Sequence, residues 1–275
     1  MKLRDLLKDE LTSEELSKLV TSYDVIGQIA IIEIPPELKA KEKKIGEAIL
    51  HLNKNIKTVC KRIGHHSGIF RIRPVKVIAG EETTKTTYKE SGVIMKLDVN
   101  KVYFTPRLSH ERERIASQVK KGEVIGAWFA GVGPFPLVIA KKQPNVKIYA
   151  VELNENAFNS MQDNIRINKM QNSIKAVLGD VNEVVDDLPK FDRIIMPLPK
   201  GAENFLSKAF ERANEKAVIH FYHFSNKEFP YVGFENKVKQ IAKKQNKKVE
   251  IIFKRKVRPF SPSVVQVVFD ILVKN

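Results

Sequence analysis

The chain holds one cysteine, Cys60, in 275 residues. That excludes an intrachain disulfide and a thiolate-rich metal or redox centre, and it fits a reducing compartment such as the cytoplasm. No apolar run approaches the ~18 residues that cross a bilayer. The segment MKLRDLLKDELTSEEL mixes acids with bases and lacks the apolar centre of a signal peptide. The six histidines, His51, His65, His66, His110, His220 and His223, show no metal-ligand spacing, so no metal site is expected. Acid is scarce relative to base: 32 Asp and Glu face 48 Lys and Arg, a net charge of +16. Such a surface suits a phosphate-bearing partner, although a lysine-rich solvated surface would give the same total. A hydrophobic share of 43% is enough for a real core.

Patterning divides the chain in two. Residues 1–20 read as short amphipathic helices capped at Thr12 or Ser13, and 22–34 as strands stopped by Pro35 and Pro36. A helix from Leu38 to Leu52, strands at 56–62 and 68–78, and a hairpin at 83–89 and 92–99 complete a small α/β domain, 1–98. From Thr105-Pro106 onward strands and helices alternate, which predicts a mostly parallel sheet in a second domain, 99–275. Its last two strands, 249–256 and 264–273, have no helix between them and should pair antiparallel at an edge.

In that second domain a strand runs into Phe129-Ala130-Gly131-Val132-Gly133-Pro134-Phe135. Gly131 and Gly133 permit a tight turn and close approach to a ligand, and Pro134 suits a first helical turn. The third glycine of a dinucleotide fingerprint is missing, which argues against a pyrophosphate. Glu152 ends the next strand, where a carboxylate can hold two ribose hydroxyls, and Asp180 follows the third. Two glycines serving only a tight turn remain the alternative for the loop by itself.

The stretches FRIR (70–73), YFTPRLSHERERI (103–115), WFAGVGPF (128–135), DRIIMPLPKGA (192–202) and HFYHF (220–224) together resemble the class I tRNA (guanine-37-N1)-methyltransferases of archaea and eukaryotes. They are similar also to the related aminocarboxypropyltransferases of wyosine synthesis. The resemblance covers nearly the whole chain. It implies a Rossmann-like methyltransferase domain behind the small α/β domain, S-adenosylmethionine as cofactor, and the tRNA anticodon loop as partner of a monomeric cytoplasmic enzyme. It also implies roles. Arg71 would neutralise charge on guanine O6 and Glu111 would take the N1 proton. Tyr103, Arg107, Phe129, Gly131, Gly133, Pro134, Glu152, Leu153, Asp180, Val181 and Pro197 would line the cofactor pocket. From spacing alone, Glu111 reads equally as a first-turn acid complementing a helix dipole, and Arg71 as a surface arginine.

The chain departs from the family pattern at two positions. Pro197-Leu198-Pro199 stands where most of these methyltransferases have Asn-Leu-Pro, which removes a side-chain contact to the base and puts Pro197 among the candidate catalytic positions. The Pro-Leu-Pro form resembles an archaeal subgroup that also methylates a tricyclic wyosine precursor at C7. Ala127 stands where an aspartate is common. An extra N-terminal domain of some relatives is expected to be absent. An aminocarboxypropyltransferase and a non-catalytic tRNA-binding protein are the alternatives. Against the first, Pro134-Phe135 replaces the histidine usual after the second glycine. Residues 237–258 carry ten Lys or Arg against Glu250 alone. A solvated helix face accounts for Lys237 to Lys248, while Lys254 to Arg258 could equally meet tRNA phosphates.

Overall fold

The computed structural model describes residues 2–64 and 72–274. These form two compact units, Met1–Leu108 and Ser109–Asn275. The first opens with helices α1 (Leu3–Leu7) and α2 (Ser13–Lys18). Thr12 starts α2 through a reciprocal cap: its hydroxyl accepts from the Glu15 amide at 3.2 Å, and the Glu15 carboxylate accepts from the Thr12 amide at 2.8 Å. The expected 22–34 segment is a tight antiparallel hairpin, β1 (Tyr23–Ile26) and β2 (Ile29–Ile32), turning at Gly27. With Pro35-Pro36 ahead of it, the expected 38–52 helix begins as a 3₁₀ turn, Pro36–Lys41, before α3 (Glu42–Leu52). β3 (Thr58–Arg62) and β4 (Val75–Gly80) complete a sheet ordered β1-β2-β3-β4. The buried face of α3, Ile45, Gly46 and Ile49, lies on it, and a Cβ at Gly46 would meet Ala79 at 2.7 Å.

β5 (Lys85–Glu90) and β6 (Val93–Asp98) form the expected hairpin. Its turn residues Ser91 and Gly92 both have positive φ, the geometry that matches strand twist. The unit continues past the expected boundary at residue 98. The Val99 amide donates to the Thr84 carbonyl at 2.9 Å, and the Phe104 ring packs edge-on against Tyr88 at 5.0 Å. Those contacts hold residues 99–108 to the first unit.

The second unit is a seven-stranded sheet flanked by helices. After a 3₁₀ turn at Pro106–Leu108 come α4 (Ser109–Ala116), β7 (Val124–Trp128), α5 (Pro134–Lys142), β8 (Lys147–Glu152), α6 (Glu155–Ile167), β9 (Ile174–Leu178) and α7 (Val181–Val184). β10 (Phe191–Met196), α8 (Leu206–Arg212), β11 (Ala213–Asn226), α9 (Phe234–Lys244), β12 (Lys248–Pro259) and β13 (Val264–Lys274) follow. The strand order is β12-β13-β11-β10-β7-β8-β9. Five neighbouring strands, β11 through β9 in that order, are parallel. The β12–β13 pair is antiparallel at one edge, as its short connection requires, and β13 also pairs antiparallel with β11. The chain runs outward from β7 to β9 and then returns to β10 on the other side. The switch point therefore lies between β7 and β10, where ligands of such sheets bind at the carboxyl ends of the strands. Among the described residues no helix is long and apolar enough to cross a membrane.

Candidate active site

Four strand ends build one rim. Beyond β7, Phe129 holds a φ of +56° and stacks edge-on against Phe205 at 4.9 Å. Gly131 and Gly133 also have positive φ, 57° and 89°. At Gly133 a side chain would be strained by that backbone and would press on Met161 at 3.0 Å. The Glu152 carboxylate, at the end of β8, fastens the loop. One oxygen accepts from the Gly131 amide at 2.6 Å and the other from the Asn154 amide at 2.8 Å. The Glu152 carbonyl accepts from the Gly179 amide at 3.0 Å, which links this rim to the end of β9. Burial pushes the Glu152 carboxyl up from its ordinary range, opposed by these backbone donors.

Asp180 caps α7 by accepting from the Asn182 amide at 2.7 Å, with Val181 buried behind it and Leu153 exposed beside Glu152. Pro197 and Leu198 follow β10, and the Pro199 carbonyl accepts from the Phe224 amide at 3.1 Å. The rim residues Phe129, Gly131, Gly133, Pro134, Glu152, Leu153, Asp180, Val181 and Pro197 thus come to successive strand ends of one sheet. The donor set fits an adenosine group: each Glu152 oxygen keeps acceptor capacity beyond its one amide bond, as a ribose diol requires. Sequence reasoning did not find Asn164, a fully buried α6 side chain whose amide donates to the Val132 carbonyl at 3.0 Å and pins the loop from below.

Glu111 is no exposed first-turn acid. It is 1% exposed. One carboxylate oxygen accepts from the Tyr222 hydroxyl at 2.7 Å and from Arg114 at 3.0 and 3.1 Å, and the other accepts from Arg255. Arg114 also grips Asp270 with two nitrogens, at 2.5 and 3.1 Å. Asp270 meets His220 Nδ1 at 2.7 Å, and His220 Nε2 meets Arg193 at 2.6 Å. Since a guanidinium can only donate, Nε2 accepts and the proton sits on Nδ1, facing Asp270. Burial pushes His220 down, which keeps it neutral. Its ring and Arg114 hold Asp270 well below the usual carboxylate range. Arg193 ends the chain on Glu123 at 2.8 Å. Alternating charge thus runs from Arg255 at the surface to Glu123. The sequence signal for it was Asp270, alone and charged inside the apolar run VVQVVFDILV.

The remaining candidates lie in the first unit. Tyr103 is 43% exposed. Arg107 is bound through Nε to Asp24 at 2.8 Å, and Asp24 also takes Arg62. Arg71 lies outside the described residues, as do His65 and His66. Ala127 is buried, with Ala150 and Ile195 as its strand neighbours on either side. No group of three or more His, Cys, Asp or Glu able to hold a metal occurs among the described residues.

Sheet order, glycine loop and the carboxylate one strand along define a Rossmann-like domain whose rim fits an adenosine-bearing cofactor. A model of the TRM5/TYW2 methyltransferase domain matches residues 86–252, and one of the TYW2 N-terminal domain matches residues 3–83. The tRNA (guanine(37)-N(1))-methyltransferase Trm5b of Pyrococcus abyssi is 42% identical over 93% of this chain and 76% of its own length. The tRNA (guanine(37)-N(1))/4-demethylwyosine(37)-methyltransferase Taw22 of Nanoarchaeum equitans is 34% identical, over 80% and 88%. A 4-demethylwyosine aminocarboxypropyltransferase of Methanocaldococcus jannaschii is 32% identical, over 90% and 96%. Among solved structures, aTrm5 in complex with tRNALeu matches with a TM-score of 0.86 at 34% identity, over 100% of this chain and 78% of that one. Methanocaldococcus jannaschii Trm5 in complex with adenosine matches at 0.82 and 33%, over 99% and 78%. The chain belongs to the TRM5/TYW2 methyltransferase family, enzymes that use S-adenosylmethionine.

Proposed function

We propose that this enzyme methylates N1 of guanine 37 in the tRNA anticodon loop, acting as a cytoplasmic monomer. The observation that carries the cofactor half is the Glu152 carboxylate, fixed by two backbone amides beside the glycine loop at the switch point. The cofactor supplies a methyl group already activated on a sulfonium. Guanine N1 is protonated at neutral pH and nucleophilic only as that proton leaves, so a carboxylate must accept it. Glu111 is the proposed acceptor: its carboxylate would take the N1 proton, while N1 takes the methyl group and the cofactor is left as the neutral thioether. Arg71 is the proposed partner for the negative charge on O6. A net charge of +16 supplies the phosphate affinity. Transfer of the aminocarboxypropyl arm is the less favoured reading, because Pro134-Phe135 follows the second glycine.

Pro197 supports a second activity. Without the asparagine amide, the base edge is read more by shape and stacking, which tolerates a fused third ring. Taw22, similar over most of this chain, carries both activities in its name. Nucleoside mass spectrometry tests both readings, using unmodified tRNA and precursor-bearing tRNA incubated with protein and cofactor. 1-Methylguanosine from the first supports the main reading, and its absence overturns it. A C7-methylated tricycle from the second supports the dual one.

A further inference from the structure

A base must touch the proton it takes, yet Glu111 is closed off by donors on both oxygens. Two of those donors cannot leave cheaply. Tyr222 is fully buried in β11, and Arg114 is tied to Asp270 by two nitrogens and lies under the Phe253 ring at 4.7 Å. The third differs. Arg255 stands on the edge strand β12, its side chain is 41% exposed, and its Nε is buried with no acceptor among the described residues. It lies within a cationic run whose other members hold partners of their own: Lys254 on Glu235 at 2.6 Å, Lys256 on the Lys227 carbonyl at 3.2 Å and Arg258 on Gln266 at 3.0 Å.

We propose that Arg255 is a positioning residue that exchanges Glu111 for an RNA phosphate, so that the substrate backbone itself uncovers the base. The inference rests on the proposed function of Glu111. A phosphate offers a guanidinium two parallel acceptors, and so can engage the Nε that Glu111 leaves unpaired. Departure of Arg255 frees the one Glu111 oxygen that neither Tyr222 nor Arg114 holds. The carboxylate keeps its orientation through those two and loses a neighbouring cation only when RNA is bound. Without RNA, the same pair keeps a buried charge compensated.

The test is Arg255→Met, which keeps the aliphatic stem and removes the charge, beside Arg255→Lys and wild type. Thermal melts confirm that each variant is folded. Binding of unmodified tRNA, followed by fluorescence anisotropy across a salt series, should weaken about tenfold in Arg255→Met. The slope of log affinity against log salt should fall by about one, and the lysine variant should recover that slope. In single-turnover methylation the loss should fall mainly on the apparent tRNA constant rather than on the saturating rate. An unchanged salt slope, or a loss concentrated in the saturating rate, would make Arg255 a permanent partner of Glu111 and overturn the exchange. Absence of methylated guanosine from wild type would instead strike the functional reading, and the salt slope would still report on Arg255.

Discussion

Replacing Asp270 by asparagine isolates the buried charge chain. The Asp270 oxygens face three donor contacts, two from Arg114 and one from His220 Nδ1. Asparagine offers one acceptor oxygen and turns an N–H₂ group toward a donor. His220 cannot adapt by moving its proton, because its other nitrogen accepts from Arg193. One buried donor therefore faces another, which costs about 1–3 kcal/mol. Arg114 retains Glu111 but loses its second anion, where breaking a buried pair outright costs about 3–5 kcal/mol. Taking about 3 kcal/mol for the whole, the melting temperature of a unit this size should drop by roughly 6–12 °C. The pH dependence fixes the cause. Asp270 is held below the usual carboxylate range, so its contribution is complete above the unfolded value of about 3.9 and is lost only as pH falls through the lower folded value. Calorimetric melts of wild type and variant should differ fully at neutral pH and converge only in strong acid. A melting temperature within about a degree of wild type at pH 7 would show that the chain carries little stability.

Glu152→Gln should weaken S-adenosylmethionine by roughly 1.5–3 kcal/mol in titration calorimetry. Because burial raises the Glu152 carboxyl and ribose hydroxyls favour its ionised form, wild-type affinity should tighten as pH rises through that raised value, and the glutamine variant should be flat. Equal affinities for the two proteins would remove Glu152 from the cofactor site. Glu111→Gln should slow single-turnover methylation of guanine by roughly a hundredfold or more while cofactor affinity holds; a near-normal rate would give the base role to another group. Pro197→Asn should lower activity on the tricyclic precursor more than on guanine, and equal effects on both would end the case for a pocket adapted to the larger ring.

That the residues proposed for the cofactor gather on one rim was legible because each of them lies within a few positions of a strand end. Alternation located the strands, and the fold rule for open α/β sheets then told where Gly131, Glu152 and Asp180 must meet. Glu111 could not be placed that way. The segment SHERERI reads as a polar helix start, and its burial depends on Tyr222, Arg255 and Asp270, more than a hundred residues away in sequence. Only the resemblance pointed to Glu111, and nothing in that resemblance supplied its cage. The expected domain division at residue 98 falls short of Leu108 for a similar reason: the contacts of Val99 and Phe104 with Thr84 and Tyr88 are not visible in the sequence.

This difference in origin should shape how the two halves of the site tolerate change. The half proposed for the cofactor is made by backbone: positive-φ glycines, amides on Glu152, and a cap at Asp180. Its side chains can be exchanged singly, with losses confined to binding. The half proposed for catalysis is a chain of charged groups, joined through the neutral His220 ring, that spans α4, β10, β11, β12 and β13. Removing one leaves a neighbour buried and charged, so activity and stability should fall together there. Arg255 is the exception that the geometry allows. It stands at the exposed end of the chain, its departure leaves Glu111 with Arg114 and Tyr222, and an incoming phosphate can take the carboxylate's place as the acceptor for Arg255. On the proposed role of Glu111, a buried base is kept compensated at rest and reaches its substrate when the outermost cation moves.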